Sequence, residues 1–219
     1  MRTLPHRIYA DFTDPWAYLA SRRLDRLAEA GAEVPDWRAV AHRHGLPQVT
    51  LRLDAVAQAN RQAELDRVRE LLGPDEELPG RAPALLPHPD APVAAYAEAY
   101  AHGYGPQVRR LLFEAYWVEG QDIGDPEVLR RLLPRVVQRD IVTGEAFHDF
   151  AYAVSPSRTA LTTEAAHLVR DWQAEWLRLG TPVTLTLATD DRCLVGADAV
   201  RELAPAGAGT AKGDLTTAA

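Results

Sequence analysis

The sequence predicts an α/β fold that carries an inserted all-helical subdomain. Short segments that alternate apolar and polar residues, as strands do, occur near both ends of the chain. Between them, from about residue 54 to residue 154, apolar residues recur at helical spacing and no strand pattern competes. The 219 residues of the chain, of which 47% are hydrophobic, suffice for one large domain with an insertion.

The first strand and the first helix meet at Thr13-Asp14-Pro15. Residues 8–12 alternate like a strand, and the segment after the turn repeats Trp16, Leu19, Leu24 and Leu27 at helical spacing. Asp is a preferred N-cap because its carboxylate accepts free amides of the first turn, and Pro fits the first helical position because it has no N–H to lose. We therefore expect Asp14 to lie on the partial positive charge of a helix N-terminus.

The next elements complete a βαβ unit and open the insertion. Trp37, Ala39 and Ala41 alternate like a second strand. A helix is then expected from about Asp54 to Leu72, where Gly73-Pro74 supplies a C-terminal stop. Six prolines crowd the following segment, 74–92, which predicts an irregular loop.

Three further helices are expected in the insertion, at about 93–102, at about 107–119 and from Asp125-Pro126 to Leu133, next to Pro134. Aromatic residues crowd these helices and are expected to form their core. They are Tyr96, Tyr100, Tyr104, Phe113, Tyr116 and Trp117.

A long amphipathic helix from about residue 157 to residue 179 returns the chain to the sheet. Two strands joined by a hairpin turn at Asp190-Asp191 follow, and Asp198 is expected to cap a short last helix. We predict that residues 1–53 and 155–204 together form a discontinuous domain that contains the sheet. Residues 54–154 are predicted to form the helical insertion, and residues 205–219 a disordered tail.

Three segments resemble the DsbA-like branch of the thioredoxin superfamily, which includes 2-hydroxychromene-2-carboxylate isomerases and kappa-class glutathione transferases. They are the strand and helix around Asp14-Pro15-Trp16-Ala17, the stretch RRLLFEAYWVEGQDIGDPEVLRRL, and Gly180-Thr181-Pro182 before two strands. The resemblance implies a thioredoxin-like fold, in which a four-stranded mixed sheet is flanked by helices. It also implies that Pro182 is a cis-proline beside the N-terminus of the first helix.

The chain departs from the family pattern at the turn itself. Redox members have Cys-Pro-x-Cys there, and in the isomerases and transferases a Ser that binds the glutathione sulfur replaces the first Cys. Here the turn holds neither, and Cys193 is the only cysteine, so a CxxC redox cycle within the chain is excluded. The ligand-binding residues that the resemblance implies are Thr13, Asp14, Pro15, Trp16, Thr181 and Pro182.

Asp14 is the one candidate catalytic residue, and its expected charge state decides between functions. The helix N-terminus favours the carboxylate, so we expect its pKa to lie below the ordinary value of about 3.9. A fixed carboxylate is a poor general base at neutral pH. It also opposes a bound thiolate by ~1 to 4 kcal/mol, which disfavours glutathione or mycothiol as a cofactor. The simplest alternative is that Asp14 only caps the helix.

The function predicted from these residues is that of a redox-inactive relative of the DsbA-like oxidoreductases. It would bind a small molecule or an extended peptide in the groove between Asp14 and Pro182, with a non-redox step of the isomerase type as its activity. Two alternatives stay open. One is a thiol-cofactor-dependent enzyme of the isomerase or glutathione-transferase type, and the other is a non-catalytic protein that binds a partner through its helical surface.

Composition excludes several other classes. A formal net charge of -7 offers no basic field for nucleic acid or an anionic membrane. No apolar run is long enough to cross a bilayer and no signal peptide pattern opens the chain, so a cytoplasmic protein is expected. A homodimer is left open.

No metal site is expected, because His42 and His44 have the spacing of strand residues but the pattern offers no third ligand. Cys193 is expected to pack in the core.

Overall fold

The computed structural model describes residues 6–42, 49–136, 162–181 and 183–204. Its main sheet has four strands in the order β2-β1-β5-β6. The strands are β1 (Arg7–Ala10), β2 (Asp36–Ala39), β5 (Thr186–Ala188) and β6 (Cys193–Val195). β1 runs parallel to β2 and antiparallel to β5, and β5 is antiparallel to β6, which confirms the mixed four-stranded sheet.

The helices follow the capping chemistry that the sequence displays. They are α1 (Pro15–Glu29), α2 (Ala55–Arg69), α3 (Asp90–Ala101), α4 (Gly105–Phe113), α5 (Pro126–Leu132), α6 (Thr163–Arg178) and α7 (Gly196–Glu202). The side chains of Asp14, Asp54 and Asp125 each accept an amide of the first turn, so α1, α2 and α5 begin where Asp predicts. Asp198 differs from the prediction, because α7 begins before it and it pairs with Arg201 instead.

The loop predicted for residues 74–92 is not wholly irregular. The two-residue strands β3 (Leu51–Arg52) and β4 (Leu85–Leu86) pair antiparallel, and the Tyr116 hydroxyl donates to the Leu85 carbonyl at 2.8 Å. Two residues are too few to show an alternating pattern, so this pair of strands cannot be recognised from the sequence.

One apolar core joins the sheet to the insertion. Phe113 lies with its ring centroid 5.1 Å from that of Phe12 and 5.7 Å from that of Trp37. After α4 the chain makes a π-helical turn, Glu114–Val118, which aims the Trp117 indole N–H at the Phe12 carbonyl, 3.0 Å away. The insertion therefore packs directly against the junction of β1 and α1, where the candidate site lies.

Two buried ion pairs connect α1 to its neighbours. The Arg23 guanidinium donates to both Glu76 carboxylate oxygens, at 2.9 and 2.6 Å, and to the Val200 carbonyl of α7. Arg109, on α4, pairs with Asp25. These contacts hold α1 against the loop after α2, against α7 and against α4.

The prediction that Cys193 packs in the core is wrong. Cys193 is exposed on β6, which lies at the edge of the sheet and therefore lacks a neighbouring strand to cover it. None of the described helices is long and apolar enough to cross a membrane. The predicted tail, 205–219, lies outside the described residues, and the domain boundaries stay a prediction.

Candidate functional site

Asp14 occupies the N-cap of α1, as the sequence predicts. Its Oδ1 atom accepts the Trp16 amide at 2.8 Å, and Pro15 takes the first helical position. The residue is nevertheless only 8% exposed, because the insertion covers this end of the helix. The cap is therefore a buried carboxyl, which is an unusual setting for a group that is ordinarily charged.

Asp11 fixes the backbone that carries Asp14. Its Oδ1 atom accepts both the Thr13 amide and the Thr13 hydroxyl at 2.7 Å, and its Oδ2 atom accepts the His42 amide at 3.2 Å. These bonds hold the turn and tie it to the chain just after β2. Asp11 was absent from the predicted site, although an Asp at a strand end three residues before a helix cap is a typical turn-forming signal.

The second oxygen of the Asp14 carboxyl, Oδ2, is buried and lacks a well-formed hydrogen bond to any described residue. The same is true of the hydroxyl of Thr184, which is 4% exposed and lies just before β5. Thr184 is close enough to lower the pKa of Asp14 somewhat, so the two groups face each other without a well-formed bond. The peptide bond between Thr184 and Leu185 is cis.

The pKa of Asp14 is shifted in the opposite direction to the prediction. Burial first, and then the nearby charges of Glu64 and, less strongly, Asp11, raise it from 3.8 to about 7, although the nearby Thr184 hydroxyl and the bond from the Trp16 amide act to lower it. The helix N-terminus does favour the carboxylate, but desolvation outweighs it here. The expectation of a permanently ionised Asp14 is therefore wrong.

Arg61, on α2, is a second buried charge at this turn. It is 8% exposed, and its Nη2 atom donates to the Thr13 carbonyl at 2.6 Å and to the Tyr116 hydroxyl at 2.8 Å. Its guanidinium carbon lies 5.5 Å from the centroid of the Trp117 ring. The sequence carried a signal for it, because Arg61 occupies the same helical stripe as the buried Leu65 and Val68.

The structure brings together part of the predicted site. Thr13 and Pro15 are buried beside Asp14, and Trp16 is half-buried against the core. The Thr181 hydroxyl instead lies 3.3 Å from the Thr186 hydroxyl. The residue near β5 whose side chain faces Asp14 is Thr184. Pro182, with its predicted cis bond, lies outside the described residues. The role of these residues in ligand binding stays a prediction.

No group of three or more metal-ligating side chains occurs among the residues that the structure describes. His42 lies edge-on to the Trp176 ring, with centroids 5.9 Å apart, and His44 falls outside the described ranges. The site therefore consists of a buried carboxyl that titrates near neutral pH, two unpartnered oxygen atoms and a buried guanidinium. Such a carboxyl can both accept and release a proton at physiological pH.

A family model, the DSBA-like thioredoxin domain, matches residues 7–170. This match confirms the thioredoxin-like fold that the resemblance implied. No curated protein matches the chain.

Sixteen solved chains match the fold. Cytosolic disulfide reductase DsbM from Pseudomonas aeruginosa with GSH is 21% identical, with 91% of this chain and 92% of that chain covered and a TM-score of 0.62. A 2-hydroxychromene-2-carboxylate isomerase is 19% identical at the same coverage and TM-score. A probable DsbA oxidoreductase from Streptomyces coelicolor is 15% identical, with 91% and 86% covered and a TM-score of 0.61. At these identities the likeness shows the fold alone.

Proposed function

This chain belongs to the DSBA-like thioredoxin domain family, and we propose that it is a redox-inactive member that moves a proton on a small organic molecule. Its single cysteine cannot form a dithiol pair within one chain. The proposed place of the ligand is the groove predicted between Asp14 and Pro182, where the described residue Thr184 faces Asp14, and an extended peptide is the other proposed ligand. The proposed setting is the cytosol, as is described for DsbM.

The observation that carries the proposal is the state of Asp14. A general acid-base group works best when its pKa lies near the operating pH, and the pKa of Asp14 is about 7. Its Oδ2 atom is buried and lacks a well-formed hydrogen bond to any described residue, so its capacity to accept a hydrogen bond or a proton is unused. An N-cap with no further role needs neither burial nor a free oxygen.

The chemistry that fits is an isomerisation through an enolate. The Asp14 carboxylate takes a proton from the carbon beside a carbonyl group, and the Thr184 hydroxyl donates to the carbonyl oxygen as negative charge develops there. The positive end of α1 stabilises the same charge. Protonated Asp14 then returns the proton to another carbon of the conjugated system, so the double bond moves and no electrons are gained or lost overall.

Exchange of carbon-bound hydrogen in heavy water tests this proposal without knowledge of the natural substrate. A panel of 2-oxo acids, β-keto esters and enones is followed by proton NMR with wild-type chain, Asp14→Asn and Asp125→Asn. We expect enzyme-dependent exchange for at least one class, and a loss of about 100-fold or more in Asp14→Asn. Asp125→Asn is the matched control, since it changes the other Asp-Pro helix cap, and it should leave the rate unchanged.

Exchange that persists at the wild-type rate in Asp14→Asn would overturn the assignment of Asp14. Absence of exchange above the buffer rate across the whole panel would reject proton transfer on carbonyl compounds as the function. Thr184→Val adds a second check, because loss of the hydroxyl should slow exchange and should raise the pKa of Asp14, which Thr184 lowers.

The thiol-cofactor alternative gains support from the same carboxyl. A carboxyl with a pKa of about 7 is neutral in a large fraction of molecules at pH 7, which weakens the repulsion of a thiolate. Calorimetry with glutathione and with mycothiol separates the two functions. Binding that is lost on Asp14→Leu would favour the cofactor-dependent enzyme, and no detectable heat with either thiol would reject it.

A further inference from the structure

Three arginines of the described chain are more than nine-tenths buried, and two of them have a carboxylate partner. Arg23 pairs with Glu76 and Arg109 with Asp25. Arg61, at 8% exposure, forms no ion pair with any residue that the structure describes. A buried charge without a counter-ion costs several kcal/mol of folding free energy, so this difference calls for a physical account.

The partners of Arg61 are neutral and leave part of its guanidinium unused. Nη2 donates to the Thr13 carbonyl and to the Tyr116 hydroxyl, whereas Nε is buried and donates to no described residue. The aromatic rings beside the guanidinium, those of Tyr116 and Trp117, stabilise a cation weakly and do not neutralise it. The Nε–H group of Arg61 therefore has no hydrogen-bond acceptor among the described residues.

The position of Arg61 adds a second positive field. The Thr13 carbonyl that it holds is one residue before the N-cap of α1, so the guanidinium lies near the positive end of a fifteen-residue helix. In a chain whose formal net charge is -7, two positive features that converge on one buried turn favour an anion there.

We propose that Arg61 binds the carboxylate group of the ligand that the Asp14 site takes, so that the substrate class is an enolisable organic acid. A planar guanidinium suits a carboxylate through charge-assisted hydrogen bonds, which are stronger than those to neutral acceptors. The proposal rests on the proposed function, because it assigns the recognition end of the same ligand.

Thermal unfolding with acetate and pyruvate as probes, at constant ionic strength set with chloride, tests the assignment. We expect each carboxylate to raise the Tm of wild-type chain by about 3 °C or more at ten times its Kd. Arg110→Met, which removes an exposed arginine of α4, is the matched control and should keep this shift. Arg61→Met and Arg61→Gln should lose it, and Arg61→Gln decides the question if Arg61→Met does not fold.

A Tm shift of equal size in wild-type chain and in the folded Arg61 variant would overturn the assignment, and so would the absence of any shift with both carboxylates. Asp14→Asn separates this inference from the proposed function. If proton exchange fails but Asp14→Asn still shows a carboxylate shift that depends on Arg61, the anion site stands and only the proton chemistry is rejected.

Discussion

Two aspartates of this chain have the same local sequence role and different surroundings. Asp14 and Asp125 each precede a proline and each cap a helix through one carboxylate oxygen. Asp125 is half-buried at the surface of the insertion, whereas Asp14 is enclosed by residues from distant parts of the chain. The cap follows from local sequence, but the acid-base character of Asp14 follows from its burial.

The raised pKa of Asp14 has a defined effect on stability. Between pH 3.8 and about pH 7 the folded chain binds more protons at this site than the unfolded chain, so its contribution to stability falls as the pH rises. Above pH 7 the ionised carboxylate destabilises the fold by about 4 kcal/mol, and below pH 3.8 the effect disappears.

Asp14→Asn is therefore expected to stabilise the chain in a pH-dependent way, since Asn keeps the cap and removes the charge. Relative to wild-type chain, the gain in the free energy of unfolding should be larger at pH 8 than at pH 5 by about 2 to 3 kcal/mol. Urea unfolding of both chains at several pH values measures it. A difference that stays constant with pH would show that Asp14 titrates alike in the folded and unfolded chains.

Part of the site could be predicted from the sequence, and the pKa of Asp14 could not. Asp14, Thr13 and Pro15 were recognisable from capping chemistry and from the family resemblance. The group that raises the pKa most after burial, Glu64, lies on α2, and the facing hydroxyl of Thr184 comes from the other end of the chain. Local sequence shows the helix N-terminus, which acts in the opposite direction, so the sign of the shift depended on tertiary structure.

At the scale of elements, Arg23 joins three parts of the fold. Its guanidinium reaches Glu76 in the loop after α2, the Leu71 carbonyl, and the Val200 carbonyl of α7. These contacts fix α1, the helix whose N-terminus forms the site, against segments far away in sequence.

Arg23→Met should cost about 3 kcal/mol of unfolding free energy, because it removes the bidentate partner of the buried Glu76 carboxylate, which keeps only the partly exposed Arg26 and the Gly73 amide. Arg22→Met, at the exposed neighbouring position, is the control and should change stability by less than about 0.5 kcal/mol. Adding Glu76→Met to Arg23→Met should recover part of the loss, as measured by urea unfolding. A double variant that loses as much as the two single changes combined would contradict the pairing.

Helices α1, α2 and α5 were predictable as elements because an Asp caps each of them, β5 because its residues alternate, and β6 because a turn at Asp190-Asp191 precedes it. Strands β3 and β4 were not, since two residues carry no period and the residues that pair are 33 and 35 positions apart in the sequence. The exposed position of Cys193 was also missed, because an apolar neighbourhood in sequence does not show that β6 lies at the edge of the sheet.

At the scale of the whole molecule, the chain has the fold of its family, and the turn of interest is the one at the start of α1. Positions 14 and 17 are the N-cap and the third residue of α1, one helical turn apart, which suits a disulfide. We expect Asp14→Cys combined with Ala17→Cys to reduce insulin in the presence of dithiothreitol above the background rate, and wild-type chain to show no such activity. A folded double variant with free thiols and no activity would mean that the two positions do not face each other.

The account depends most on the titration of one carboxyl group. Carbon-13 NMR of the chain with labelled aspartate, assigned by comparison with Asp14→Asn, follows the Asp14 carboxyl signal from pH 4 to pH 9. The account predicts a midpoint of about 7. A midpoint below 4 would mean that the helix N-terminus outweighs burial, that Asp14 is a permanent carboxylate, and that it cannot act as the proton carrier proposed here.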